Sequence, residues 1–322
     1  MVLQARKPIR IFGTGEGVAE ISFCGHRCTA RAEDGKWLAE LPPMEYGGPY
    51  TMEVALNGKM RTLHNIMVGE VILCAGQSNI QFELHEDASA DSARQDNPLL
   101  RLYTMDRPEA GASLSARDGW CVCTKDSTDH WSALCYHLGM IAAKNLKAAV
   151  GVVSCCQGAS VIQSWIHERI TSRPEFYLPD RQKHPDHFLP QFAAWNREGL
   201  LYHAMTEQFF PMSVRNVVWY QGESNTTVPE GNIYLPLLKE MISCWRSIAL
   251  DPELPFTLIQ ICDFDVRPDE GWSVIQEAQL KAEQKIPNVR TVISRDVCES
   301  FEIHPRTKNI LAYKTYCKIF NK

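Results

Sequence analysis

Two hydrophobic patterns divide the chain. Up to residue 67 apolar and polar positions alternate in short runs: Ile9-Arg10-Ile11-Phe12-Gly13, Ala19-Glu20-Ile21-Ser22-Phe23, Cys28-Thr29-Ala30-Arg31-Ala32 and Thr51-Met52-Glu53-Val54-Ala55-Leu56. A period of two sends successive side chains to opposite faces, so each run predicts a strand with one buried face. Glu33-Asp34-Gly35-Lys36 and Tyr46-Gly47-Gly48-Pro49 punctuate them as turns, and Asn57-Gly58 predicts a tight hairpin followed by a strand through Leu63. The expectation for residues 1–67 is a small antiparallel β-sandwich domain.

From residue 68 to 322 the pattern becomes apolar strands alternating with helical stretches. Val71-Ile72-Leu73-Cys74-Ala75 is continuously apolar, as a strand covered on both faces must be. Helical spacing from Trp131 to Leu146 leads into a strand from Val150 to Ser154, and a helical stretch from Leu200 to Phe210 leads into a strand from Val214 to Tyr220. Helix Tyr234 to Ile248 precedes strand Phe256 to Ile261, and helix Val274 to Gln284 precedes strand Val289 to Ser294. Strands alternating with helices predict an α/β fold with a doubly wound parallel sheet. Arg173 to Pro190, rich in Pro, His and Asp, is expected to be a long surface loop or insertion.

Composition narrows the function classes. Apolar residues at 45% and charged residues at 22% suit a soluble globular chain with a sizeable core. A net charge of −5 with no clustered basic excess argues against nucleic-acid or membrane-surface partners. No apolar run approaches the roughly 18–20 residues of a membrane helix. Met1 to Lys7 lacks the apolar stretch of a signal peptide, so the chain as written is expected to be cytoplasmic, or secreted, periplasmic or lysosomal if a presequence was removed. The 12 cysteines do not fall into a disulfide framework: Cys74, Cys155 and Cys262 lie in or beside apolar runs, as buried thiols do, and the close pair Cys121 and Cys123 has no second pair at zinc-site spacing. No metal is expected.

In such sheets ligands bind beyond the carboxyl ends of the strands. Those ends carry Gly76-Gln77-Ser78-Asn79, Gln157-Gly158-Ala159-Ser160, Gln221-Gly222-Glu223-Ser224-Asn225 and, after the last strand, Glu302-Ile303-His304-Pro305. Acyl transfer needs an exposed nucleophile, a base and donors aimed at the developing oxyanion. Ser78 can present its hydroxyl and its own N–H together, Gly158 allows close backbone approach, Gln221 offers an amide donor, and His304 stands beside the acid Glu302.

These stretches, with Met1-Val2-Leu3-Gln4, Gly48-Pro49-Tyr50, Val68-Gly69-Glu70-Val71, Gln163-Ser164-Trp165-Ile166, Leu201-Tyr202-His203-Ala204-Met205, Glu277-Ala278-Gln279 and Ile303-His304-Pro305-Arg306-Thr307-Lys308, resemble the sialate O-acetylesterase family, a carbohydrate acetylesterase branch of the SGNH-hydrolase superfamily. The resemblance implies a flavodoxin-like α/β/α catalytic domain, an N-terminal β-sandwich that lacks the family's first strand, and a serine esterase acting on an acetylated sugar without a cofactor. It gives Ser78 the role of nucleophile, His304 that of base, and Ser78, Gly158 and Gln221 the oxyanion hole. It leaves the acid open. Phe301 stands where many SGNH enzymes carry aspartate, so Glu302, Asp296 or no acid at all completes the site. Trp165 and Trp219 are candidates for a sugar-binding wall, and Arg295 and Arg306 for pairing with a sialic-acid carboxylate. Acetylxylan esterase, a lipase-like or thioesterase enzyme, and a carbohydrate-binding relative with weakened catalysis are the competing readings. The oligomeric state is not legible.

Overall fold

A computed structural model describes residues 1–108, 119–266 and 270–322. The alternating first part forms strands β1 (Val2–Gln4), β2 (Ile9–Thr14), β3 (Val18–Phe23), β4 (His26–Arg31), β5 (Lys36–Leu41), β6 (Gly47–Leu56) and β7 (Lys59–Gly76). β2 pairs antiparallel with β5, while β3 pairs with β4 and β6, and β6 with β7. The segment Lys36–Leu41, which the expected runs pass over, alternates cleanly, burying Trp37, Ala39 and Leu41 and exposing the residues between. At the hairpin Leu56 faces Lys59, and Asn57 and Gly58 both take positive φ (51° and 74°), the requirement of a two-residue turn that follows the strand twist. Phe23, Trp37, Met52, Ile66 and Val68 gather in a small core of their own.

β7 does not end at Leu63. It runs 18 residues, its first seven exposed and its last nine buried, so one strand belongs to both sheets and the boundary expected at 67/68 falls inside it. The exposed half edges the N-terminal sheet and the buried half is the middle of the large one. That sheet adds β8 (Asn97–Thr104), β9 (Trp120–Cys123), β10 (Val150–Cys156), β11 (Asn216–Tyr220), β12 (Phe256–Ile259) and β13 (Val289–Val292) in the order β13-β12-β11-β7-β10-β8-β9. Its pairs are parallel except β8 with β9. β8 escapes a hydrophobic reading because Pro98 and Arg101 interrupt it. Arg101 is nonetheless buried, its guanidinium donating to the Met1 carbonyl and to Asn65 Oδ1 at 2.7 Å.

Helix Ala133–Leu146 packs beside the terminal helix Lys308–Phe320, and Val228–Ile248 beside Trp272–Lys285. Trp219 and Tyr220 are neighbours on β11 and therefore face opposite sides of the sheet. Trp219 meets Trp245 of the helix Val228–Ile248, while the Tyr220 ring lies under the Lys308 ammonium. The helix pairs thus cover the two faces, giving the α/β/α layers. The stretch from Leu200 winds as a π-turn over Tyr202–Thr206 before a short α-turn, not as one regular helix. Cys74, Cys155 and Cys262 are buried free thiols. Among the described residues no helix is long and apolar enough to cross a membrane.

Register fixes where the chemistry can occur. Gly76 at the end of β7 stands opposite both Cys156 of β10 and Tyr220 of β11. The three central strands end level, and the segments that follow them start side by side.

Candidate active site

Gly76 has φ +142°, and a Cβ there would lie 2.1 Å from the Tyr220 carbonyl oxygen, so only glycine lets the chain leave β7 this closely against β11. Gln77 fixes the exit. Its N–H donates to the Tyr220 carbonyl at 3.1 Å, and its Oε1 accepts from the N–H groups of Gly222 and Ser224 at 3.3 and 3.4 Å. Ser78 opens the four-residue helix Ser78–Gln81. Being in the first turn, its own N–H has no acceptor within the helix.

His304, on the loop between β13 and the terminal helix, places Nε2 2.8 Å from Ser78 Oγ. The loop is anchored beneath this contact. Asn79 Nδ2 donates to the Ile303 carbonyl at 3.0 Å and to Glu223 Oε1 at 2.6 Å, while Lys308 Nζ donates to Asn79 Oδ1 at 2.5 Å. Asn79 and Lys308 are fully buried. Burial pulls the Lys308 ammonium down to about 8 and pushes the Glu223 carboxyl up. Burial first, and then the Lys308 charge, hold His304 below the ordinary histidine range, against smaller opposing influences of Glu86 and Glu302. A neutral imidazole hydrogen-bonded to a serine hydroxyl is equipped to take its proton.

The other expected residues are placed unequally. Gly158 belongs to the site: a Cβ on it would lie 3.8 Å from that of Ser78. Trp195 Nε1 donates to its carbonyl at 3.1 Å, and Asn196 Nδ2 to that of Ala159 at 2.8 Å, so the loop after β10 is held from outside. The Gly158 N–H, expected to face the oxyanion, instead donates to Gln81 Oε1 at 2.8 Å.

Gln221 is a correction. It is wholly buried, its Nε2 donating to the Ser160 carbonyl at 3.0 Å and to Asn225 Oδ1 at 2.8 Å, and its Oε1 accepting from the Tyr234 hydroxyl at 2.9 Å. An amide so engaged has no donor to turn toward an ester, and it does not line the cleft. Glu302 is exposed and makes no hydrogen bond to His304 among the described residues. The Asp296 carboxylate is held by Lys314 at 2.6 and 2.8 Å, which keeps it below the usual carboxylate range, and it makes no hydrogen bond to His304 among the described residues. Trp165 and Trp219 are buried against each other and Trp245, forming core and not wall. Arg295 pairs with Asp263 at 2.7 Å, and Arg306 donates to the Glu86 carbonyl at 3.0 Å.

A cleft of about 470 Å³ opens above Ser78, Gly158 and His304. Its aromatic walls are Phe192, Trp195, Phe264 and Trp272, and Asp186 adds a carboxyl group. Asp186 and His184 come from the stretch expected to be a surface loop. That surface stretch is tied down, its His184 N–H and His187 ring both reaching Glu230 at 2.7 Å. Asn79 and Lys308 sit inside motifs quoted from the sequence without a role, and nothing in a linear pattern shows that they meet. Two surface groups, Glu83 with His85 and His130, and His167 with Glu168 and His203, bring possible metal-ligand atoms within 4.8 Å of one another, and neither lines the cleft.

On this α/β/α scaffold a serine and a histidine meet at the strand ends, and the similarities below show a carboxylic ester hydrolase. Comparison with known proteins narrows the kinship. Residues 189–312 match the family described as carbohydrate esterase, sialic acid-specific acetylesterase. The chain resembles the sialate O-acetylesterase of Mus musculus, at 24% identity over 368 residues, covering 95% of this chain and 68% of the mouse protein. It resembles the Homo sapiens sialate O-acetylesterase at 25% identity, covering 89% of this chain and 60% of the human one. The crystal structure of a carbohydrate acetylesterase from Xanthomonas citri superposes with a TM-score of 0.82 at 25% identity, covering 98% of this chain and 72% of that one.

Proposed function

We propose that this chain hydrolyses O-acetyl esters of carbohydrates by two-step acyl transfer, with Ser78 as nucleophile and His304 as general base. The observation that carries the reading is the 2.8 Å hydrogen bond between Ser78 Oγ and His304 Nε2 at the floor of an open cleft. Ser78 Oγ attacks the acetyl carbonyl carbon as its proton passes to Nε2, and the carbonyl oxygen becomes an oxyanion beside the Ser78 backbone N–H. Collapse of this adduct breaks the ester bond, the imidazolium protonates the leaving sugar oxygen, and the acetyl group stays on Ser78. Water, deprotonated by His304, then attacks the acetyl-serine and releases acetate. No step draws on a metal or an organic cofactor.

Glu302 is the acid of this proposal, acting through space on the imidazolium without a direct hydrogen bond. Phe192, Trp195, Phe264 and Trp272 offer apolar faces to a sugar ring, and the carboxylate of Asp186 suits its hydroxyls. The names of the matched relatives favour an O-acetylated sialic acid as the sugar. A second reading, a neutral acetylated sugar such as acetylxylan, is favoured by the engagement of Arg295 and Arg306 elsewhere. Acetate release from O-acetylated sialic acids, acetylxylan and p-nitrophenyl acetate, run beside Ser78→Ala, tests the proposal. Release from a sugar acetate that disappears in the variant supports it, and release that persists in the variant ends it.

A further inference from the structure

With Gln221 sealed in the core, the site lacks the side-chain donor expected for the oxyanion. We propose that Gln81 supplies it, through Nε2, with the Gly158 N–H acting to orient that amide. This rests on the reading of Ser78 as nucleophile.

Gln81 lies three residues after Ser78 on the same short helix, and residues at that spacing share a face. Both line the cleft. The amide is not free to choose its orientation. Gly158 N–H can only donate, so the atom 2.8 Å from it must be the Gln81 oxygen, and the nitrogen must take the other branch of the planar group. That nitrogen carries two donors and makes no hydrogen bond among the described residues. Each flanking contact narrows the geometry further. The Gly158 carbonyl is held by Trp195 and the Ala159 carbonyl by Asn196, so the N–H that pins Gln81 is itself fixed. An oriented amide beside the nucleophile, with its donor end unspent, meets the requirement for stabilising charge that appears only in the transition state.

Two other roles for Gln81 make different predictions. As a mere brace for the Gly158 loop, only its oxygen would matter. As an occupant that substrate must displace, its removal would speed the reaction. Gln81→Glu separates the three roles. It keeps the shape and the oxygen that accepts from Gly158, yet turns a carboxylate oxygen toward the developing oxyanion.

The experiment measures kcat and KM with p-nitrophenyl acetate for wild type, Gln81→Leu, Gln81→Glu and Ser78→Ala, with thermal unfolding of each. We expect Gln81→Leu to lose on the order of 10²-fold in kcat with KM little changed, and Gln81→Glu to lose at least as much while unfolding at the wild-type temperature. Wild-type kcat in Gln81→Glu would reduce Gln81 to a brace, and raised or unchanged kcat in Gln81→Leu would make it an occupant; either result overturns the proposal. Failure of the underlying reading looks different: Ser78→Ala would then stay active.

Discussion

The segments that follow β7 and β11 leave adjacent strands at the same level and are built from the same residue types. Gln77, Ser78, Asn79 and Gln81 stand on one side, and Gln221, Ser224 and Asn225 on the other. The first presents a partly buried serine to a cleft. The second is sealed, with Gln221, Ser224 and Asn225 at 0–1% exposure. What differs is what lies over them. The helix Val228–Ile248 brings Tyr234 and Glu230 onto the β11 segment, and the Arg173 to Pro190 stretch adds Asp186, whose carboxylate accepts from Ser224 Oγ at 2.7 Å. Over Ser78 lies His304. Polar residues at a strand end therefore become chemistry or scaffold according to the partner that reaches them. A donor fully spent inside the protein cannot also serve a substrate.

The most severe test of this contrast is Ser78→Ala, which should lower kcat by about 10⁴-fold or more while leaving the unfolding temperature unchanged, since a small hydroxyl bordering a cleft packs against little. Gln221→Ala should behave in the opposite way. It empties a buried space and leaves the Ser160 carbonyl without its donor and Asn225 Oδ1 short of one, at a cost of about 2–4 kcal/mol in stability, with kcat of the folded enzyme near wild type. A large loss of kcat at unchanged stability would restore Gln221 to the oxyanion hole and erase the contrast.

Acidity sharpens the same comparison. The base must be neutral, so kcat/KM falls as pH drops through the His304 pKa, and burial with the Lys308 charge places that fall below the ordinary histidine value of about 6.5. Lys308→Met removes the cation and should move the acid limb to higher pH. An unmoved limb would show that Lys308 acts on His304 only through Asn79 and the Ile303 carbonyl. The smallest effect is expected at Glu302→Gln. An exposed carboxylate acting through solvent contributes about 0–1 kcal/mol, so kcat should fall less than tenfold. A loss of hundreds-fold would mean that the carboxylate closes onto the histidine during turnover.

Much of this was legible in the chain. The switch from period-two runs to continuous apolar strands separates the two sheets, and strand ends point to Ser78, Gly158 and His304 because parallel sheets present their carboxyl edges to ligands. The length of β7 was hidden because its two halves follow different rules, one face exposed early and both faces buried late. Gln221 misled for a related reason. Its place after a strand was right, but the helix that turns its amide inward comes later in the chain. Trp165 and Trp219 show the common outcome for large aromatics, burial in the core. The cleft walls, Trp195, Phe264 and Asp186, come from segments without periodic signal, where only the folded chain shows what faces what.

The central claim is that acetyl passes through Ser78. Rapid quenching of the enzyme with an O-acetylated sugar, followed by mass spectrometry of the peptides, tests it most directly. The account predicts an acetyl group on Ser78 that accumulates early and decays as acetate is released, and that is absent from the Ser78→Ala enzyme. Acetate release with the label on another residue, or with no covalent label under conditions where deacetylation is slow, would contradict it.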